Sequence, residues 1–309
     1  ILEFHNYDWP NLELLNSIYR ARHASAMNEF LRLGTPFTII DSTIVQPYPF
    51  SARDWPITIN QTGQTRQVKL KQYLLDAERG AWIIDPNFSS VVLLLHMDGT
   101  DASTTFTDSS SSAKTVTAHG NAQIDTAQSK FGGASALFDG TGDYIDFPLT
   151  SSDFNFGTGD FTIEFWYRKS ASAANGTYTR LIQFRDGDQF SSVSLADAGA
   201  AGQITVAYSS NGTSWDIGSA DNLGTVALNT WYHLAVCRSS TNIRTFFNGA
   251  VAHTQSTSAA LFYNSADVGI IGGQSTPNRT ITGWIDDFRI TKGVARYTAA
   301  FSVPTAAFP

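Results

Sequence analysis

A single cysteine, Cys237, in 309 residues rules out an intrachain disulfide framework. It falls in the strand-like segment Tyr232 to Arg238, where a small buried thiol is the expected role. Charged residues make up only 15% of the chain, and Glu164 is the one glutamate after residue 88. No run of about 18 apolar residues occurs, so no helical membrane span is encoded. Nor is there a basic region followed by an apolar stretch at the start; the chain begins at Ile1, which reads as a processed chain or as a piece of something longer. Basic charge is short as well: the net charge is −7, with 8 basic and 9 acidic side chains in residues 1 to 88 against 12 and 18 in residues 89 to 309. The larger part would repel a phosphate backbone, which excludes nucleic acid as an expected partner.

Catalytic signatures are equally thin. His96, His119, His233 and His253 show no H-E-x-x-H spacing, and no G-x-S-x-G elbow is present. His233, after a Trp-Tyr pair at a strand start, reads as a structural histidine. The glycine-rich FGGAS and FDGTGD do not run into helices, so a phosphate cradle is not expected.

What is present is apolar and aromatic residue (42% and 13%), 24 glycines, and abundant Ser, Thr and Asn, a composition for many short strands joined by tight turns. Residues 9 to 33 read as the one long helix: Leu12, Leu15, Ile18, Tyr19, Met27, Phe30 and Leu31 recur at three-to-four spacing between Asp8-Pro10 and Gly34. Its apolar face needs a partner. Extended pieces follow at Phe37 to Val45, Ile57 to Asn60 and Val68 to Tyr73, with a turn of helix over Leu74 to Ala81. This N-terminal part, residues 1 to 88, is a small α+β unit expected to dock on the rest of the chain, on copies of itself or on a larger assembly.

From residue 89 the pattern becomes mainly β. Turn pairs such as Asn175-Gly176, Asp186-Gly187, Asn211-Gly212 and Asn248-Gly249 punctuate strands at regular spacing, which predicts a two-sheet antiparallel sandwich over 89 to 309. Val91 to Met97, apolar throughout, reads as a central strand. Alternation in Phe161 to Arg168 puts Phe161, Ile163, Phe165 and Tyr167 on one face and Thr162, Glu164, Trp166 and Arg168 on the other.

The blocks VVLLLHMDGT, KFGGASALFDGTGDYIDF, GDFTIEFWYR, NTWYHLAVCRS and GWIDDFRITKGVARY, in that order, resemble the laminin G-like, concanavalin A-like jelly roll. Their wording is similar to domains common in virion proteins of tailed bacteriophages, such as tail fibres and capsid decorations. The resemblance implies a lectin-like domain on a virion surface or in an extracellular setting. It would bind host-surface glycan for attachment, with residues 1 to 88 tied to other virion proteins or to copies of the chain in an oligomeric or multicopy array. A purely structural virion component is the alternative.

Glycoside hydrolases share this fold, but a retaining glycosidase needs two carboxyl groups about 5 to 5.5 Å apart. Glu164 stands alone, the E-x-D-x-x-E strand of those enzymes is missing, and the adjacent Asp286 and Asp287 would point to opposite faces. A non-enzymatic protein is expected. Asp98, Asp139, Asp143 and Asp286 sit at strand ends beside glycines; they are candidate ligands for Ca2+, or else fix turns through their own backbone. The resemblance pairs the first and last strands, which would bring Asp98 to Asp286. For sugar, aromatic faces with amide groups on loops are needed, and Tyr178, Phe190, Trp215, Tyr263 and Asn278 are the candidates.

Overall fold

The computed structural model describes residues 85–171, 178–187, 189–198, 202–220, 222–275 and 279–309, and before them the backbone of four short strands. The chain divides into two compact units, Ile1–Ile84 and Asp85–Pro309. In the first, β1 (Glu3–Phe4), β2 (Thr38–Ile40), β3 (Pro56–Gln61) and β4 (Gln64–Lys69) form a sheet in that order. The strands β2 and β3 fall on predicted extended pieces. The last strand starts four residues before the predicted Val68, because Gln64, Arg66 and Gln67 give it no apolar alternation to read. The helix expected over 9 to 33 and the turn of helix over 74 to 81 lie outside the described residues.

The second unit is the predicted two-sheet antiparallel sandwich. Its described strands begin with β5 (Val91–Leu95), β6 (Thr117–His119), β7 (Gln123–Asp125), β8 (Ser135–Asp139), β9 (Tyr144–Pro148) and β10 (Phe161–Lys169). Then come β11 (Tyr178–Gln183), β12 (Val193–Ala198), β13 (Gln203–Tyr208), β14 (Gly218–Ala220) and β15 (Trp231–Ser239). The chain closes with β16 (Asn242–Phe247), β17 (Ala250–Ser256), β18 (Val268–Ile271) and β19 (Thr282–Lys292). Among the described residues, one sheet of eight strands runs β17-β16-β15-β10-β19-β8-β7, with β5 also on β19, and the facing sheet of seven runs β14-β13-β12-β11-β18-β9-β6. The long β19 makes this possible: its first half pairs with β8 and its second half with β5.

The inner faces interlock as the alternation requires. Phe161, Ile163, Phe165 and Tyr167 of β10 join Leu234 and Val236 of β15 and Ile285, Phe288 and Ile290 of β19 in one buried cluster. They meet Ile145, Phe147, Leu195, Ile204 and Val206 from the facing sheet. Each such side chain contributes about 1.5–3 kcal/mol on burial.

The opposite face of β10 is also covered, which the alternation alone does not reveal. After β19 the chain turns back across the eight-stranded sheet, where Tyr297 and Phe301 stack 3.5 Å apart between centroids and rest against Phe246. Phe308 packs on Val91 and Leu94. This strap corrects the expectation of a central position for Val91 to Met97. That strand is buried on both faces, but among the described residues it pairs along one side only, with β19, and on the other meets just the Asp108 loop.

A second correction concerns Asp286 and Asp287. At this point β19 carries an extra residue relative to β10, and Asp287 takes a left-handed φ of 47°. This is a bulge. Ile285 and Phe288 both face the core, so the two aspartates between them both lie on the outer side and do not alternate.

Candidate functional site

Glu164, the one glutamate of the sandwich, sits in a closed polar network. Its carboxylate is fully buried; Oε1 accepts from Arg289 Nε and Nη2 at 3.0 and 2.8 Å, and Oε2 from Tyr297 Oη at 2.8 Å. His233 Nε2 stands 3.5 Å from Oε2. Burial pushes this carboxyl up, but hydrogen bonding and charge from His233, Arg289 and Tyr297 outweigh it and bring the pKa down to about 2. A group held ionised and out of contact with water cannot serve as a general acid. Asp85 closes the network, accepting from Arg289 at 3.2 Å and from Arg296 at 2.5 and 3.0 Å. The network therefore ties the first residue of the second unit to its last strand. Cys237 is the inert thiol expected: it is buried, donates to Thr162 at 3.3 Å, and burial pushes it up to about 12.

The four candidate aspartates separate into two groups. Asp143 accepts from Asn121 N at 2.6 Å and from Asp139 N at 2.8 Å; Asp139 accepts from Thr141 N at 2.8 Å and from Asn121 Nδ2 at 2.9 Å. All four oxygens have donors, so this pair fixes the turn after β8. Asp286 differs. Its Oδ2 accepts from Lys130 N and Phe131 N at 2.6 and 3.1 Å, while the buried Oδ1 has no hydrogen-bond partner. Burial, with Asp287 and Asp98 adding repulsion, pushes this carboxyl up to about 7. Asp98 lies against Gly132, whose φ of 65° and lack of a side chain leave room for that carboxylate. The expected pairing of β5 with β19 is present, and Asp98 stands near enough to Asp286 for its charge to be felt there. Among the described residues no group of three or more His, Cys, Asp or Glu side chains could hold a metal, so a cation here would rely on these two carboxylates plus backbone oxygens.

The aromatic candidates also separate. Because Val193 pairs with Tyr208, the loop before β12 and the loop after β13 emerge at one end of the seven-stranded sheet. Phe190 and Trp215 meet there edge to face, 5.1 Å between centroids, both partly exposed. Both loops carry hydrogen bonds of their own. Gln183, fully buried, donates to the carbonyls of Arg185 and Gly187 at 2.6 and 2.7 Å. Asn211 Oδ1 accepts from Thr213 N, Thr213 Oγ1 and Ser214 N at 2.8 to 3.0 Å, and Asp216 accepts from Ser210 N at 2.9 Å. The Ser210 hydroxyl, also bound to Asp216, holds that carboxyl below its ordinary range. Arg185 joins the two loops, donating to Gly212 O at 3.0 Å with its guanidinium 5.2 Å over the Phe262 ring. Sequence reasoning missed Arg185, since nothing local marks a contact across 27 residues.

The other candidates do not join this corner. Tyr178, 41% exposed, opens β11 opposite Ala198, at the far end of the same sheet. Tyr263 is structural: its hydroxyl donates to Leu149 O at 2.6 Å and to Ser151 O at 3.0 Å. Asn278 lies outside the described residues.

Residues 139–296 match the family described as the concanavalin A-like lectin/glucanases superfamily, a laminin G type, and the chain belongs to it. Similar solved structures include the binding domain of Paraclostridial Mosquitocidal Protein 1, at 16% identity over 67% of this chain and 50% of that one, with a TM-score of 0.51. The binding domain of botulinum neurotoxin serotype D is similar at 15% identity over 68% and 50%, with a TM-score of 0.51. Domain 4 of a GH43 extracellular arabinanase from Geobacillus stearothermophilus, solved with arabinotriose, aligns at 17% identity over 67% and 94%, with a TM-score of 0.49. The chain spans about half the length of the two toxin domains, and at these identities the likeness is one of fold. No curated protein matches the sequence.

Proposed function

We propose that this chain is a non-enzymatic surface component of a virion whose sandwich binds a host-surface glycan at the Phe190–Trp215 corner, while the N-terminal unit docks it to the particle or to copies of itself. The observation that carries the reading is the corner itself: two partly exposed aromatic rings on loops whose polar groups are already satisfied by one another. A pyranose face stacks on such rings without the entropy cost of ordering a loop. Membership of a lectin-bearing superfamily and the sequestered Glu164 support binding over hydrolysis. Single-site affinity for a corner of two rings would be weak, and many copies on one particle would raise it.

The reading includes a calcium ion at Asp98 and Asp286. Its support is the buried Asp286 oxygen that lacks a donor, since an uncompensated buried carboxylate is costly and a hard cation would neutralise it.

The test is a glycan array probed with the full chain displayed multivalently, once with calcium and once with EDTA. Selective, saturable signal supports the reading. A blank array in both conditions removes glycan binding and leaves a structural role in the particle.

A further inference from the structure

On the outer face of the eight-stranded sheet, the strand register lines up residues that are far apart in the chain. Trp231 of β15 is paired with Arg168 of β10, Arg168 with Trp284 of β19, Trp284 with Leu137 of β8, and Leu137 with Gln123 of β7. Their neighbours Tyr167, Ile285, Ala136 and Ile124 are in the core, so the row points outward. All five are partly exposed. With adjacent strands about 4.8 Å apart, the two tryptophans stand roughly 10 Å apart with the arginine between them.

The row is held in place. Trp284 Nε1 donates to Asp125 Oδ2 at 2.6 Å, and Asp125 Oδ1 accepts from Ala127 N at 3.0 Å, so the indole is fixed and that carboxylate is engaged on both oxygens. The Arg168 guanidinium lies 4.9 Å from the Trp284 ring centroid. Among the described residues it makes no hydrogen bond or ion pair. On the same face Arg289 and Arg296 are consumed by Glu164 and Asp85. Arg168 keeps its full set of donors, in a plane set by stacking. Lys130, whose ammonium sits 4.0 Å over the Trp166 ring two residues along the same strand, adds a second positive charge nearby.

We infer that the row Trp231, Arg168 and Trp284 is a second saccharide site, for a sugar chain bearing carboxylates, separate from the Phe190–Trp215 corner and not resting on it. The indoles offer faces for pyranose rings, and the guanidinium fork matches a carboxylate bidentately. A neutral sugar would leave that partly buried charge uncompensated, which is why the acidic class is favoured. A row that crosses three neighbouring strands suits an extended chain lying across them.

The test is titration of the full chain with an oligogalacturonate, with sialyllactose, and with the oligogalacturonate after reduction of its carboxylates to alcohols, read by calorimetry and tryptophan fluorescence. At least one carboxylated saccharide binds, the reduced form binds about tenfold more weakly or worse, and added salt weakens binding. Arg168→Gln costs about tenfold in affinity, and Arg168→Lys, which keeps the charge but not the fork, gives a smaller loss at an unchanged melting temperature. Trp284→Phe weakens binding, while Trp215→Ala leaves it intact. Failure of both carboxylated probes, equal binding of the reduced form, or full binding by Arg168→Gln overturns the site. Loss in Trp215→Ala instead would mean the acidic sugar sits at the loop corner, which also overturns it.

Discussion

Arg289 grips a single oxygen of Glu164 through two donors, Nε and Nη2, at 3.0 and 2.8 Å, with neither side chain more than 5% exposed. In this position the one glutamate of the sandwich is a structural member. Replacing it by glutamine keeps the shape but leaves the guanidinium groups of Arg289 and Arg296 with Asp85 as the one carboxylate of the network. Glu164→Gln is expected to lower unfolding free energy by about 3 kcal/mol or more, as breaking one partner of a buried pair does. Urea denaturation measures it; unchanged stability would mean the network carries no net weight.

The same group sets an acid limit. Its carboxyl titrates near 2 in the folded protein against an ordinary 4.5, so the folded state binds fewer protons than the unfolded one between those values. The stability it contributes is fully present above pH 4.5 and is lost as pH falls towards 2. Melting temperature followed from pH 6 to pH 2 should therefore drop more steeply in the native protein than in Glu164→Gln.

The C-terminal strap is expected to be part of the fold and not an appendage. Phe308 packs on Val91 and Leu94, lies 3.9 Å under the Arg289 guanidinium, and donates its backbone N–H to Asp287 at 2.7 Å. Phe308→Ala should cost about 3 kcal/mol, with hydrogen exchange rising first in β5. Equal protection of β5 in variant and native protein would contradict this packing.

If calcium binds at Asp286, its effect is visible without any ligand. Calcium should raise the melting temperature of the native protein and EDTA lower it, by a few degrees for each kcal/mol of binding. Asp286→Asn should abolish the difference, whereas Asp139→Asn, in the turn whose oxygens are all engaged, should keep it. A calcium effect that survives Asp286→Asn would move the ion elsewhere.

The sheets were legible because period-two alternation and Asn-Gly or Asp-Gly turns report strands directly, as in Phe161 to Arg168. Three features were not. The outer burial of Glu164 depends on Tyr297, 133 residues away, whose sequence shows aromatics but not where they land. The bulge inserts one residue at Asp287, a position with no glycine to mark it, so a strict alternation misplaced Asp287. The row Trp231, Arg168 and Trp284 exists only through register across three strands, and register is invisible until the strand order is known. Of the sugar-binding candidates, Phe190 and Trp215 come together because β12 and β13 form a hairpin; Tyr178 shares their sheet but not their end.

The most direct measurement of the central claim compares the native chain with Trp215→Ala on whichever uncharged glycan the array selects, by titration at matched folding. The account predicts saturable binding by the native protein, about tenfold or greater weakening in the variant, and an unchanged melting temperature. Binding that is equal in the two proteins would contradict the assignment of the Phe190–Trp215 corner as the glycan site.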